Sequence, residues 1–319
     1  MTETHGGGLL ATLEGQAPPA PAWFTEAMAN EPQQRFHTVA GARIETLAWG
    51  ERGRPGLLLM HGNGAHAQWW SFIAPFFARD WRVVAFSWSG MGRSDRRPSG
   101  TYSLDLFVDE AFSIAKAEGL FDATVAPVFV GHSFGGFPTM ACAAREGERL
   151  RAAVIVDSPL RTPEQRRQFE KARQERGHKP LRVYPSFDEA LMRFRFMPVQ
   201  PCEHLYIVDH IARTSLRQVE ANDTSPAGWT WCFDPFMWRG YRMGHPTEDL
   251  SNARCPIAAI WGARSSLVHA DVVAYTKRLA PAGSPMIEIP DADHHVMIDQ
   301  PLAFVTALRG LLAAWPSPR

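Results

Sequence analysis

Short apolar runs recur along the chain, and each is followed by a loop and a longer segment. They lie at residues 57–60, 83–86, 127–130, 152–156 and 257–261, and they lack alternating polar positions. Such runs, rich in Val, Ile, Leu and Phe, are typical of strands buried on both faces of a parallel sheet. Ahead of them, segments 36–40 and 43–49 flank a short turn, which predicts an antiparallel hairpin at the sheet edge.

Helical candidates occupy much of the sequence between and after these runs. They lie at residues 103–117, 134–146, 270–279 and 301–314. The alternation of strands and helices predicts an α/β fold, with a mostly parallel sheet and helices on both of its faces.

No clear apolar strand run occurs between residues 158 and 254, and the next run begins at residue 257. Amphipathic segments near 186–197 and 203–220 predict a mainly helical insertion after the sixth strand. The core domain is then expected to comprise residues 23–157 and 255–319. Residues 1–22 are rich in Gly, Ala and Pro, and we expect them to form a flexible arm.

The charge balance and the cysteines limit the classes of protein to which this chain can belong. The 319 residues contain 33 Lys plus Arg and 33 Asp plus Glu, so no global charge points to nucleic acid or an anionic membrane. The sequence has no apolar stretch of transmembrane length and no start typical of a secretory signal. The four cysteines show no CxxC spacing, which favours a reduced, cytoplasmic protein and leaves a single disulfide open.

The strongest chemical signal is the segment Gly131-His132-Ser133-Phe134-Gly135-Gly136, which matches G-x-S-x-G. It follows an apolar strand run and precedes a helix of small residues, the setting that a nucleophile elbow requires. A serine on so tight a turn has a strained backbone, and glycines two residues before and after it avoid clashes. Ser133 is therefore the candidate nucleophile.

A serine nucleophile needs a base, and the base needs an orienting acid. The candidate base is His294 or His295, in a loop at the carboxyl edge of the sheet, where Ser133 also lies. Asp157 ends a buried run at the same edge and is the candidate acid. Asp271 is the alternative acid, although it is also well placed to cap a helix.

An acyl-transfer site also needs backbone amides that stabilise a developing oxyanion. The loop His61-Gly62-Asn63-Gly64 follows a strand run at the same edge, and its glycines let backbone amides approach a ligand. We expect one donor from Asn63 or Gly64 and the second from Phe134.

Together these motifs resemble the α/β-hydrolase superfamily. His61-Gly62 is similar to its oxyanion loop, residues 87–95 to its Gly-x-Gly-x-Ser loop, and residues 131–136 to its nucleophile elbow. The resemblance covers residues 36–157 and 256–314, and the region between them corresponds to the family's cap.

The C-terminal histidine motif of that family decides between the two histidines. In the motif an acidic residue follows the catalytic histidine by five positions, which is the spacing from His294 to Asp299. The resemblance therefore favours His294. The family's commonest acid position holds Ser265 here, and some members place the acid one strand earlier, where Asp157 lies.

The resemblance implies a serine hydrolase that cleaves a carboxylic ester through an acyl-enzyme intermediate on a Ser133–His294–Asp157 triad. Other chemistry on the same triad stays open: carbon–carbon bond, lactone or thioester hydrolysis, or perhydrolysis. A non-catalytic, ligand-binding scaffold is a further alternative, because the commonest acid position holds a serine.

Aromatic residues near the expected site favour an apolar or aromatic substrate. The candidates for substrate contact are Trp69, Trp229, Trp231 and Trp238. We expect a small-molecule ester or related acyl compound as partner, no cofactor, and a monomer or small homo-oligomer. We expect no metal either, since the available ligands would form a single cluster of Asp291, Asp293, His294 and His295.

Overall fold

The computed structural model describes residues 8–176, 179–221 and 226–315. The strands, in chain order, are β1 (Gln33–Val39), β2 (Ala42–Trp49), β3 (Gly56–Met60), β4 (Arg82–Phe86), β5 (Val128–His132), β6 (Ala152–Val156), β7 (Leu216–Val219), β8 (Gly228–Trp231), β9 (Ile257–Gly262) and β10 (Met286–Ile289). Eight of them form one sheet in the order β1-β2-β4-β3-β5-β6-β9-β10, while β7 and β8 form a separate pair.

The predicted strand pattern is confirmed. β1 and β2 form the antiparallel edge hairpin, β2 is antiparallel to β4, and every pair from β4 to β10 across the main sheet is parallel. Every residue of β3, β4, β5 and β6 is buried, as expected for strands covered on both faces.

The helices cover the two faces of this sheet. They are α1 (Ala22–Ala29), α2 (Leu104–Ala117), α3 (Gly136–Glu146), α4 (Pro163–Arg176), α5 (Phe187–Leu191), α6 (Leu205–Thr214), α7 (Pro246–Ser251), α8 (Ala270–Leu279), α9 (Val296–Asp299) and α10 (Pro301–Ala314). Side chains alternate across the strands, so Leu58 joins a core with Phe107 of α2, whereas Leu59 joins a core with Phe304 of α10. The four predicted helices correspond to α2, α3, α8 and α10.

The sheet order places the strand ends that carry the candidate chemistry side by side. β5, β6, β9 and β10 are consecutive and parallel, so their carboxyl ends lie at one edge. Ser133 follows β5, Asp157 follows β6, and the loop with His294 follows β10. This edge is where a ligand is expected in an open α/β sheet.

The chain between β6 and β9 contains α4 to α7 and the hairpin of β7 and β8, which the sequence did not predict. Helix α7 packs against α3, and its Leu250 is fully buried in the same core as α3. The end of the stretch that the sequence placed in the insertion therefore belongs to the packing of the core. We call residues 158–245 the cap.

The N-terminal segment differs from the flexible arm expected over residues 1–22. Gly8 and Leu9 donate backbone hydrogen bonds to cap carbonyls at 2.8 and 3.2 Å, and Leu10 is only 1% exposed. An apolar side chain that packs into the core fixes this segment, and the Gly/Pro-rich composition did not reveal it. Residues 1–7 lie outside the described residues.

The structure also bears on membrane crossing and on disulfide formation. Within the described ranges, no helix combines the length and the apolar character that crossing a membrane requires. The cysteines are free thiols at positions Cys142, Cys202, Cys232 and Cys255, so the disulfide that the sequence left open does not form.

A buried ion pair ties the end of α2 to the sheet. Arg82 of β4 is 1% exposed and its Nη2 lies 2.9 Å from Glu118 Oε2, while Thr46 Oγ1 donates to Glu118 Oε1 at 2.9 Å. Arg82 Nε also donates to the Glu118 carbonyl at 3.2 Å. The guanidinium therefore depends on this carboxylate, because burying an unpaired charge is costly.

We expect Glu118→Ala to lower the free energy of unfolding by about 3–5 kcal/mol, since it leaves Arg82 buried without its counter-charge. The exposed pair of Glu148 and Arg254 provides a control, for which Glu148→Ala is expected to cost about 1 kcal/mol or less. Urea unfolding of both variants tests the difference. If both variants lost the same free energy of unfolding, the result would contradict the stabilising role of the buried pair of Arg82 and Glu118.

Candidate active site

Ser133 lies on a tight turn between β5 and α3. Its φ of +52° is a left-handed conformation that a non-glycine residue adopts only at an energetic cost. A Cβ at Gly131 would collide with Thr139 Oγ1, and a Cβ at Gly135 would lie 2.7 Å from the Met60 carbonyl oxygen. The close approach of this turn to β3 and α3 therefore requires both glycines.

His294 lies between Ser133 and Asp157. Its Nδ1 is 2.7 Å from Asp157 Oδ1, and its Nε2 is 2.9 Å from Ser133 Oγ. Because a carboxylate only accepts hydrogen bonds, Nδ1–H donates to Asp157, and Nε2 is left to accept the Ser133 hydroxyl proton. His294 and Asp157 are each 1% exposed, so bulk water does not compete for these bonds.

Further donors hold Asp157, which has a φ of +45°. Its Oδ2 accepts from the Gly262 backbone N–H at 2.9 Å, and its Oδ1 also accepts from Ser265 Oγ at 2.7 Å. The serine at the commonest acid position thus donates to the acid. Asp271 lies on the exposed first turn of α8 and accepts from Gln165 Nε2 at 2.8 Å, away from the histidine.

Two further buried histidines flank His294. His132 Nε2–H donates to the His294 carbonyl at 3.0 Å, and the His295 ring packs against Trp69 and Phe196 at centroid distances of 5.1 and 5.0 Å. Burial, and then the neighbouring His294, lowers the pKa of His132 and His295 well below the usual histidine range. Both flanking rings are therefore neutral at physiological pH.

These three imidazoles are also the group of possible metal ligands in the described part of the chain. One ring nitrogen from each of His132, His294 and His295 lies within 4.8 Å of the others. Asp291 and Asp293, which the sequence placed beside these histidines as conceivable ligands, do not belong to this group. One nitrogen of His132 and both nitrogens of His294 already make hydrogen bonds within the protein, which is the role that the geometry supports.

The loop after β3 lies directly beside the serine. A Cβ at Gly62 would lie 3.1 Å from Ser133 Cβ. His61 Nδ1–H donates to the Gly62 carbonyl at 2.8 Å, and His61 Nε2 accepts from Trp88 N–H at 3.1 Å. Burial lowers the pKa of His61 to about 3, so the ring stays neutral and fixes the loop through both nitrogens.

The predicted oxyanion donors lie on two sides of the serine. Phe134 is the second residue of the 3₁₀ turn that leads into α3, where the first N–H groups have no intrahelical acceptor. Asn63 and Gly64 follow the glycine that abuts Ser133. Trp238 of the cap packs edge-on against Phe134 at 5.1 Å and donates from Nε1 to Asn63 Oδ1 at 3.1 Å.

A cavity of about 330 Å³ lies between this loop and the cap. Its lining includes five aromatic side chains, the apolar Met197 and Val199 and two arginines, Arg193 and Arg195; the aromatic residues are Trp69, Phe194, Phe196, Trp231 and Phe233. Asn63 and Gly64 also line it, so it adjoins the expected oxyanion donors. A mostly apolar lining with a few polar groups is typical of a small-molecule site.

The tryptophans predicted to contact substrate separate into different environments. Trp69 and Trp231 line the cavity. Trp229 does not, because its ring packs against Phe187 of the cap at a centroid distance of 4.9 Å. Neither Trp229 nor Trp238 is among the residues that line this cavity, and contact of either side chain with substrate stays a prediction.

Sequence reasoning missed Gln200, a cap residue that is 6% exposed. Its Oε1 accepts from His295 N–H at 3.1 Å, and its Nε2 donates to both oxygens of Asp299 at 3.0 and 2.9 Å. Asp299 also accepts from Asp293 N–H at 2.8 Å. The spacing from His294 marked Asp299, but no motif marks a glutamine whose partners lie 95 and 99 residues away.

Burial raises the pKa of Asp299 to about 7, so folding favours its protonated form. The resulting stabilisation is complete below the ordinary carboxyl pKa of about 4 and is lost as the pH rises through the folded value. We expect the free energy of unfolding of the wild type to fall relative to that of Asp299→Asn between about pH 5 and about pH 8. Urea unfolding at each pH measures this difference, and a constant difference would contradict it.

Comparison with known proteins gives a family and several relatives. The sequence profile of the "Alpha/beta hydrolase family" matches residues 57–308. Esterase Rv0045c of Mycobacterium tuberculosis is 25% identical over 90% of this chain and 92% of its own length. Putative carbamate hydrolase RutD of Caulobacter segnis is 35% identical over 38% of this chain, and 2-hydroxymuconate semialdehyde hydrolase of Pseudomonas sp. is 34% identical over 32%. The last two matches span 44% and 36% of those relatives' own lengths.

Solved structures show the same fold. E-2-(acetamidomethylene)succinate hydrolase superposes with a TM-score of 0.72 at 19% identity, over 89% of this chain and all of that chain. The M. tuberculosis esterase Rv0045c superposes with a TM-score of 0.69 at 22% identity, over 93% of this chain and all of that chain.

Proposed function

Because the chain belongs to the alpha/beta hydrolase family, we propose that it is a serine hydrolase that cleaves a carboxylic ester of a small apolar or aromatic compound. The observation that carries the proposal is the hydrogen-bonded path from Ser133 Oγ to His294 and on to Asp157, at 2.9 and 2.7 Å. A serine hydroxyl is a weak nucleophile, and an imidazole oriented by a carboxylate supplies the base that activates it.

In the proposed acylation step, His294 Nε2 takes the hydroxyl proton as Ser133 Oγ attacks the ester carbonyl. Asp157 keeps the imidazole in the required tautomer and stabilises its positive charge. The neutral His132 and His295 place no second positive charge beside that imidazolium. His294 then gives the proton to the departing alkoxide, which leaves as an alcohol.

Backbone amides complete the proposed reaction. The N–H groups of Phe134 and of Asn63 or Gly64 stabilise the negative oxygen of the tetrahedral intermediate. Water, deprotonated by His294, then attacks the acyl-enzyme carbonyl. The imidazolium gives that proton to Ser133 Oγ as the ester C–O bond breaks, which releases the acid and restores the serine hydroxyl and neutral His294.

The nucleophile and the cavity narrow the proposed substrate class. Attack by Ser133 on an alkyl carbon would give an ether, which does not hydrolyse, so the substrate reacts at a carbonyl. The cavity of about 330 Å³ has five Trp and Phe side chains in its lining, and these fit a medium-length or aromatic acyl group. Its size lies near the lower end of the range of small-molecule sites, roughly 300–1,000 Å³.

A second candidate is carbon–carbon bond hydrolysis beside a carbonyl by the same three residues. The similarity to the 2-hydroxymuconate semialdehyde hydrolase of Pseudomonas sp. favours it. One enzyme preparation would be assayed with a 2-hydroxy-6-oxohexa-2,4-dienoic acid and with an aryl ester of similar size. The larger of the two kcat/KM values shows which reaction the enzyme favours.

We expect a fluorophosphonate probe to label the wild type once, at Ser133, because the probe requires an activated serine. Labelling is expected to be lost in Ser133→Ala and His294→Ala. Intact mass and sequencing of the labelled peptide give the stoichiometry and the site.

Matched controls for this labelling come from exposed positions near α7. Ser251→Ala and His245→Ala remove the same residue types away from the site and are expected to label like the wild type. A folded wild type that does not label would favour the non-catalytic scaffold, and labelling that persists in Ser133→Ala would refute the proposed nucleophile.

We expect kcat/KM in a p-nitrophenyl ester series to rise from acetate to hexanoate. Trp231→Ala is expected to lower the hexanoate-to-acetate ratio by about tenfold, since it removes an aromatic wall of the cavity. Trp229→Ala, which changes the same residue type outside the cavity, should leave the ratio unchanged. A strong preference of the wild type for acetate, or equal effects of the two variants, would contradict this substrate class.

A further inference from the structure

The cap reaches the loop that carries the candidate base through the buried side chain of Gln200. We call residues 290–295, between β10 and α9, the histidine loop. Gln200 ends a cap segment that forms one wall of the 330 Å³ cavity, through Arg193, Phe194, Phe196, Met197 and Val199. The wall of the cavity and the histidine loop are therefore linked by hydrogen bonds of Gln200, beside the ring packing of Phe196 on His295 at 5.0 Å.

The contacts of Gln200 use both ends of its amide. The oxygen accepts from His295 N–H at 3.1 Å, and the nitrogen donates to the Asp299 carboxylate at 3.0 and 2.9 Å. Because the same carboxylate accepts from Asp293 N–H at 2.8 Å, the network holds the backbone on both sides of His294. A primary amide provides an acceptor and a donor at one point, which neither Ala nor an ionised Glu provides.

Other elements hold the opposite side of the histidine loop. His132 donates to the His294 carbonyl at 3.0 Å. The end of β9 also packs tightly on this loop, since Gly262 leaves no room for a Cβ against the carbonyls of Ala292 and Asp293. Residues of the sheet and its loops therefore hold one side of the histidine loop, and Gln200 of the cap contacts the other side.

We propose that Gln200 is a positioning residue, which couples the cavity wall to the histidine loop and keeps His294 in reach of Ser133. This inference rests on the proposed function. In this proposal the cap does more than shape the cavity. A movement of the cavity wall changes the position of His294, because Gln200 connects the wall to the histidine loop. Residues that share one hydrogen-bond network are energetically coupled in this way.

The first test compares Gln200→Ala with Gln218→Ala, which removes an exposed glutamine from β7 of the same cap. p-Nitrophenyl acetate is the substrate, since its short acyl group does not depend on the cavity wall. We expect Gln200→Ala to lower kcat by about ten- to a hundredfold with KM little changed, and to slow fluorophosphonate labelling of Ser133 in parallel. Gln218→Ala should match the wild type.

A second variant separates positioning from a loss of packing. Gln200→Glu keeps the size and the acceptor for His295 N–H but sets a second carboxylate against Asp299, with Asp293, Arg264 and Cys202 as the other titratable neighbours of that group. Two facing carboxylates share a proton at low pH. We expect the labelling rate of this variant, divided by that of the wild type, to rise as the pH falls from about 8 to about 6.

Amide hydrogen exchange provides a readout that does not depend on activity. A peptide that spans residues 291–300 is expected to exchange faster in Gln200→Ala than in the wild type or Gln218→Ala, with the melting temperature showing that each variant is folded. Unchanged exchange of this peptide would overturn the proposal even if the wild type proved inactive. A variant that raises KM only for long esters, with kcat for acetate intact, would overturn it as well.

Discussion

The buried carboxylate of Asp157 organises the edge of the sheet. It accepts three hydrogen bonds, from His294 Nδ1 at 2.7 Å, Ser265 Oγ at 2.7 Å and Gly262 N–H at 2.9 Å. These donors come from the end of β9, the loop after it and the loop after β10, so one side chain joins several segments that are distant in sequence. A buried charge is tolerated only where donors of this kind surround it. The contact depends on the parallel register of β6 and β9, in which Val156 pairs with Ile260.

Backbone strain at two neighbouring strand ends serves the same arrangement. Ser133 and Asp157 follow β5 and β6, and both have positive φ, at +52° and +45°. Such conformations cost on the order of 1–3 kcal/mol each and persist where the surrounding structure fixes them. The close contacts of the glycines around Ser133 and the hydrogen bonds of Asp157 keep these two residues in their strained conformations. The same contacts therefore maintain both the backbone strain and the geometry of the site.

Local order along the chain predicted the core, Ser133 and Asp157, whereas the family resemblance selected His294. Buried apolar runs predict the parallel strands, and the spacing of the glycines predicts the tight turn at Ser133. Asp157 directly follows a neighbouring strand, which is enough to predict that it lies at the same edge of the sheet as Ser133. Ser265 shows the limit of this reasoning. Its type excluded it as an acid, but only the structure shows that its hydroxyl supports one.

The cap was less predictable, because its contacts are long-range and follow no period. Trp229 and Trp231 lie two residues apart on β8, yet one packs inside the cap and the other lines the cavity. The hydrogen bonds of Gln200 span more than ninety residues, and the segment beside Leu10 donates backbone hydrogen bonds to the carbonyls of Met192 and Phe194 in the cap. Such contacts arise from tertiary packing, which hydrophobic patterns along the chain do not encode.

If Ser133, His294 and Asp157 act as one unit, as proposed, turnover depends on the carboxylate of Asp157, and the variant Asp157→Asn tests this dependence. The kcat for a p-nitrophenyl ester would be measured for Asp157→Asn and Asp271→Asn, each shown to be folded by circular dichroism. A drop of about ten-thousandfold is predicted for Asp157→Asn, because the amide favours the wrong tautomer of His294. Asp271→Asn should turn over like the wild type. Full turnover by Asp157→Asn, or a comparable loss in Asp271→Asn, would contradict the assignment of the acid and with it the proposed triad.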